Sequence, residues 1–222
     1  MTTKILIARH GNTFDKGQTP TRVGANTDLP LVEQHRGRSI GNYLRNHELI
    51  PDAVYAAPLK RTMRTAELAI EGLNADLTPI AAENFKEIGY GPDENMAEDA
   101  VMLRLGNGDI DKGRAVIDAW NTQAIVPNGW EVNPEQIIED WQSFAHEVES
   151  RYFNGTVLLI SSNGIMRFAP CLTGNFKQFA ERFEIKVSTG GMCIFEKSKD
   201  DQHWRCTAWN LKPYELYTEQ DR

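Results

Sequence analysis

Two uninterrupted apolar runs constrain the fold of this chain more than any other feature of it. Ile5-Leu6-Ile7-Ala8 near the start and Val157-Leu158-Leu159-Ile160 far downstream carry no polar alternation. A half-exposed strand alternates, whereas a continuous aliphatic run reads as a strand buried on both faces of a mostly parallel sheet. Each run stops abruptly in polar residues and a glycine, Arg9-His10-Gly11-Asn12-Thr13 after the first and Ser161-Ser162-Asn163-Gly164 after the second. Ligands of open α/β sheets bind beyond the carboxyl ends of the strands, so an arginine and an imidazole are delivered where a ligand would sit. Glycine lets the backbone turn sharply there and leaves the approach to the histidine open. The arginine supplies fixed positive charge beside a ring that is largely neutral, hence nucleophilic, near pH 7.

Between the runs, residues 14–32 hold Gly17, Pro20, Gly24 and Pro30 without regular periodicity and read as a long loop. Ile40, Tyr43 and Leu44 recur at helical spacing within Glu33–His47, Asp52–Ala56 is a short strand, and Pro58 opens a second helix with Leu59, Met63, Ala66 and Ile70 on one face. Helical patches at Asp99–Leu105 and Ala115–Trp120, broken by Gly106, Gly108, Gly113 and Pro127, make 92–134 an inserted cap. Pro134 starts a helix with Ile137, Trp141, Phe144, Ala145 and Val148 facing inward. Lys186–Ser188, Met192–Phe195 and Trp204–Trp209 read as closing strands.

The stretch Ala8-Arg9-His10-Gly11-Asn12-Thr13 resembles the RHGxT signature of the histidine phosphatase superfamily, the fold shared by phosphoglycerate mutases and many small phosphomonoesterases. For three residues alone the plain alternative is a structural histidine held by backbone hydrogen bonds. Two further blocks follow in the family's order. Ala57–Ala66 is similar to the second block, which implies that Arg61 reaches the phosphate, while Lys60 and Arg64 read as surface charges. Arg61 falls in a first helical turn, where free N–H groups already favour an anion. Glu83–Gly91 looks like the "L-x-E-x-x-x-G" segment, which implies that Glu87 protonates the leaving oxygen; Glu83 is the competing acid. Arg22 and Gly24 resemble the loop that shapes the phosphate pocket, with a solvated arginine as the other reading.

The main departure is Asn163, where the superfamily has Ser-His-Gly and a second histidine that donates to the phosphate. Asparagine still donates a neutral N–H but cannot offer a charge-assisted bond. Losing one such donor costs on the order of 10² to 10³ in rate.

The resemblance implies an α/β fold of three α/β/α layers, formed by residues 1–222 as one domain. It implies His10 as nucleophile, Glu87 as acid and base, and Arg9, Asn12, Arg22, Arg61 and Asn163 as phosphate-binding residues, with no metal or other cofactor. The function expected is a phosphomonoesterase working through a phosphohistidine and attenuated by Asn163. The alternative is a pseudophosphatase that binds a phosphorylated ligand or protein. Lys and Arg number 24 against 31 Asp and Glu, a formal charge of −7, which argues against nucleic acid or an anionic membrane as partner. Cys171, Cys193 and Cys206 are odd in number and lack CxxC spacing, which with the absence of a signal-like start suggests the cytoplasm. Asn107–Asp111 has the polar spacing of a calcium loop without its distal glutamate and reads as a turn.

Overall fold

The computed structural model describes residues 2–217. In chain order its elements are β1 (Thr2–Arg9), α1 (His35–Asn46), β2 (Ala53–Ala56), α2 (Lys60–Leu73) and β3 (Ile80–Ala81). They continue with α3 (Glu98–Leu105), α4 (Ile110–Gln123), α5 (Pro134–Arg151), β4 (Thr156–Ser161), α6 (Asn163–Met166), α7 (Phe176–Arg182), β5 (Met192–Ser198), β6 (Arg205–Leu211) and α8 (Pro213–Leu216). The strands form one sheet in the order β3-β2-β4-β1-β5-β6. Four neighbours, β3, β2, β4 and β1, run parallel, and β5 and β6 add an antiparallel edge.

Both apolar runs occupy the centre of this sheet, which is why neither alternates. Along β1, Leu6 and Ala8 face one way and pack with Ile40 and Leu44 of α1 and Ala66 and Ala69 of α2. Ile5 and Ile7 face the other way, toward Trp141, Phe144 and Val148 of α5. A period of two thus serves two apolar layers, and each large side chain so buried is worth about 1.5–3 kcal/mol. Val101, Ile117, Trp120 and Trp130, all within 92–134, belong to the same apolar cluster as Ile5.

The structure departs from the sequence expectations at four places. Gly113 lies inside α4 instead of breaking it: α3 crosses there, and a Cβ would fall 2.7 Å from the Met102 Cα. Lys186–Ser188 is not a strand. Its polar backbone is satisfied by side chains, Val187 N–H by Asn163 and Ser188 N–H by Asn210, in place of a ladder. β3 has only two residues, both exposed, too short for any periodic signal. Helix α7, with the Asn175 side chain accepting from the Gln178 N–H at its N-terminus, is an addition to the elements expected from the sequence. At Asn107–Asp111 the Asp109 carboxylate is the N-cap of α4, accepting from the backbone of Asp111 and Lys112. Among the described residues no helix is long and apolar enough to cross a membrane.

Candidate active site

The site forms because β1 and β4 are adjacent, in register and parallel. Arg9 pairs with Ser161, and the His10 N–H donates to the Ser161 carbonyl at 3.1 Å. The two polar turns that follow the apolar runs therefore meet at one end of the sheet. His10 is buried, and its Nδ1 lies 2.7 Å from the Gly11 carbonyl oxygen. A carbonyl only accepts, so Nδ1 carries the proton in the neutral ring and Nε2 keeps a free lone pair. Burial first, then the charges of Arg61 and Arg9, hold the His10 pKa well below its ordinary value. Gly11 answers a packing need, since a Cβ there would sit 2.9 Å from both the Glu33 carbonyl and the Leu31 side chain.

Glu87 faces the same cleft. Its Oε1 accepts from the Ile88 N–H at 2.9 Å and its Oε2 from the Gly164 N–H at 3.4 Å. Burial pushes its pKa up against the pull of Arg61 and Arg9. Gly164 has no room for a side chain, because a Cβ would collide with Glu87 Oε1 and lie 2.7 Å from Ile88. Glu83, the competing acid, is exposed and lies in a different depression of the surface.

The arginines differ in how they are committed. Arg9 donates through Nη1 to the Val187 carbonyl at 2.7 Å, and its buried Nε has no partner. Arg61 is fully buried and is not on the cleft wall. Its Nη1 donates to the Thr27 carbonyl at 2.9 Å and its Nη2 to the Gly24 carbonyl at 3.2 Å, which pins the loop between β1 and α1, while its Nε is buried without a partner. Its influence on His10 and Glu87 is through its field. Arg22 lines the cleft, paired with Glu98 at 2.6 Å and stacked 5.1 Å over the Trp130 ring. Asn12 lines it too, accepting weakly from Thr189 Oγ1.

Asn163 begins α6 at the end of β4. Its Oδ1 accepts the Val187 N–H at 2.8 Å, so the amide is oriented and its donor end, Nδ2, is left free at the cleft wall. One short segment around Val187 thus braces both Asn163 and Arg9. Sequence reasoning missed Arg167 and Lys186, which also line the cleft. The available signal was a cation inside an apolar run, Ile165-Met166-Arg167-Phe168 and Ile185-Lys186-Val187. Arg167 is 1% exposed, lies 3.8 Å over the Trp120 ring and donates to the Trp120 carbonyl at 2.6 Å. Burial lowers its pKa to about 10, so it remains a cation at neutral pH. Tyr90 is buried on the same wall, its phenol pushed up to about 12 by burial. The cleft encloses ≈ 990 Å³. Among the described residues no three His, Cys, Asp or Glu side chains are grouped to hold a metal ion.

Set beside known proteins, residues 5–212 match the family model of the histidine phosphatase superfamily, branch 1. An uncharacterized phosphatase of Bacillus subtilis (strain 168), PhoE, is 32% identical over 96 residues. That stretch is 42% of this chain and 47% of PhoE, so the chain spans about half the length of this relative. A phosphoglycerate mutase from Bacillus anthracis str. Sterne has the same fold, with a TM-score of 0.76 at 15% identity over 97% of this chain and 96% of that one. A phosphoserine phosphatase mutant from Entamoeba histolytica, crystallised with phosphoserine, superposes with a TM-score of 0.66 at 18% identity over 94% and 96% of the two chains. With one family accounting for nearly every residue and its fold recurring in both solved structures, the chain belongs to branch 1 of the histidine phosphatase superfamily.

Proposed function

We propose that the protein is a phosphomonoesterase working through a phosphohistidine at His10. The observation that carries this reading is the pairing, in one buried cleft, of an imidazole kept neutral with Nε2 free and a carboxyl pushed toward its protonated form. In the first step Nε2 of His10 attacks phosphorus, the ester P–O bond breaks, and the Glu87 carboxyl gives its proton to the departing alkoxide. In the second, water attacks the phosphoryl group, its proton passes to the Glu87 carboxylate, the P–N bond breaks, and phosphate leaves. Arg9 and the Nδ2 of Asn163 hold the phosphoryl oxygens, Asn12 and Arg22 line the approach, and Arg61 stabilises the charge from behind. These side chains supply the positive field without a metal ion. We take 92–134 as a cap that closes over a small phosphorylated substrate.

A second reading has its own support. Asn163 stands where the superfamily signature has a histidine, and its amide cannot become charged. A site of this kind retains phosphate affinity with little turnover, as in a pseudophosphatase.

Hydrolysis of an activated aryl phosphate in chelator, from mildly acidic to neutral pH, separates the two. Turnover that His10→Ala abolishes and Asn163→His raises, by up to about 10² to 10³, establishes the phosphatase. Turnover appearing only in Asn163→His selects the binding protein. Turnover that survives His10→Ala removes the phosphohistidine altogether.

A further inference from the structure

We propose that Arg36 is a positioning residue for the phosphate cradle. From behind the cleft it fixes the turn at 187–191, and that turn aims Arg9 and Asn163. This rests on the reading of His10 as a phosphohistidine nucleophile and adds to it a residue that never touches the substrate.

The turn is irregular backbone that carries much of the site. The Gly191 N–H closes it by donating to the Ser188 carbonyl at 2.8 Å, with Gly190 at φ +72°, a conformation that favours glycine. The Gly190 N–H donates to the carbonyls of Arg9 at 3.1 Å and His10 at 3.0 Å, and the Gly191 carbonyl accepts from the Arg9 N–H at 2.9 Å. The Val187 carbonyl accepts from the Arg9 guanidinium at 2.7 Å, and the Val187 N–H donates to Asn163 Oδ1 at 2.8 Å. Thr189 Oγ1 donates to Asn12 Oδ1 at 3.4 Å. Both amides are thus held by their oxygens, which turns over their NH₂ groups to phosphoryl oxygens.

Arg36, on α1, holds this turn from outside and is not itself on the cleft wall. Its Nη1 donates to the Thr189 carbonyl at 2.7 Å and to Thr189 Oγ1 at 2.8 Å. A guanidinium only donates, so the Thr189 hydroxyl accepts from it and points its own proton at Asn12. Gly190 lies on the stem of Arg36, where a Cβ would come within 2.7 Å of the Arg36 Cβ. The remaining sides of the guanidinium are held as well. Its Nε is 2.8 Å from Glu33 Oε2, and its Cζ stands 4.1 Å over the Tyr214 ring of α8. A planar group fixed by an anion, a ring and two acceptors on one residue has little freedom to move, and the turn that leans on it inherits that restraint.

The test is calorimetric binding of inorganic phosphate to the parent, Arg36→Met and Arg36→Lys, each also in an Asn163→Ala background, with aryl phosphate turnover followed in parallel. Lysine keeps the stem beneath Gly190 and a cation beside Glu33 but ends one atom short of Thr189, so it separates position from charge. Both substitutions are expected to weaken phosphate binding by about ten-fold, the worth of one hydrogen bond to a charged group. In the Asn163→Ala background the loss should shrink to about three-fold or less, because part of what Arg36 aims is gone. A purely structural role would give the same loss in both backgrounds, and that result overturns the proposal. Parent-like binding in Arg36→Lys also overturns it, by reducing Arg36 to a charge that masks Glu33. Should Arg36→Met fail to fold, Arg36→Lys carries the comparison alone. Unchanged phosphate binding beside turnover that His10→Ala abolishes sinks the positioning role and leaves the phosphatase standing. The predicted losses in a protein without turnover keep the positioning role and remove the phosphohistidine. A parent that neither binds phosphate nor hydrolyses the ester overturns both.

Discussion

His10 and Glu87 are moved in opposite directions from their ordinary values, and the directions matter more than either residue alone. At ordinary values of 6.5 and 4.5, the form holding a neutral imidazole and a protonated carboxyl would be a minor species at every pH. Lowering one and raising the other brings the two titrations together and enriches that form. Activity is therefore expected to decline on the alkaline side as Glu87 ionises. Glu87→Gln should remove that limb and slow hydrolysis of an alkyl ester by about 10² to 10⁴; a pH–rate profile with the limb intact in Glu87→Gln would show that another group titrates. Stability carries a second signature of the same shift. A carboxyl whose folded pKa lies above 4.5 costs nothing below 4.5, where both folded and unfolded chains hold the proton. Its cost grows as pH rises through the interval up to the folded value and is complete above it. Glu87→Gln is thus expected to raise the melting temperature near neutral pH, with the gain vanishing as the solution is acidified below 4.5. A thermal-shift series across pH reads this directly.

At the scale of elements, the turn from β4 into α6 is where backbone and chemistry are joined. Gly164 lets the helix start pass directly over Glu87 and offer its N–H to Oε2. Gly164→Ala should cost about 1–3 kcal/mol through overpacking against Ile88 and displace the carboxyl with it. Denaturant unfolding together with alkyl ester turnover checks both effects, and a variant that kept full activity would mean Glu87 tolerates movement. The strands and helices of this region were legible because each carries a periodic or continuous apolar pattern. Lys186–Ser188 shows where that signal misleads. One buried valine between polar residues looks like a strand, but its hydrogen bonds go to the side chains of Asn163, Arg9 and Asn210, which are remote in sequence. Gly113 misled in the reverse sense, since a glycine demanded by the crossing of α3 and α4 looks the same in sequence as one that ends a helix.

Across the whole molecule, the 92–134 segment is tied to the sheet through one core. Trp120 is fully buried, stacks edge-on against Trp130 at 5.4 Å and carries Arg167 on its face. Trp120→Ala is expected to destabilise the entire protein by about 3–5 kcal/mol and to preserve a single unfolding transition seen alike by near- and far-ultraviolet circular dichroism. Two separated transitions would show that the segment unfolds alone. The central strands, the helices on either side of them, the family, and the position of Arg9 and His10 at the end of β1 were all legible in the sequence, because they rest on local patterns and on a short motif. Long-range packing, in contrast, brings Glu87 to the cleft beside His10, spends the Arg61 fork on the loop carbonyls, holds Arg22 with Glu98, and turns Arg167 and Lys186 to the cleft. A cation's role depends on which acceptors and charges surround it, and those come from segments that meet only when the sheet brings β1 and β4 side by side.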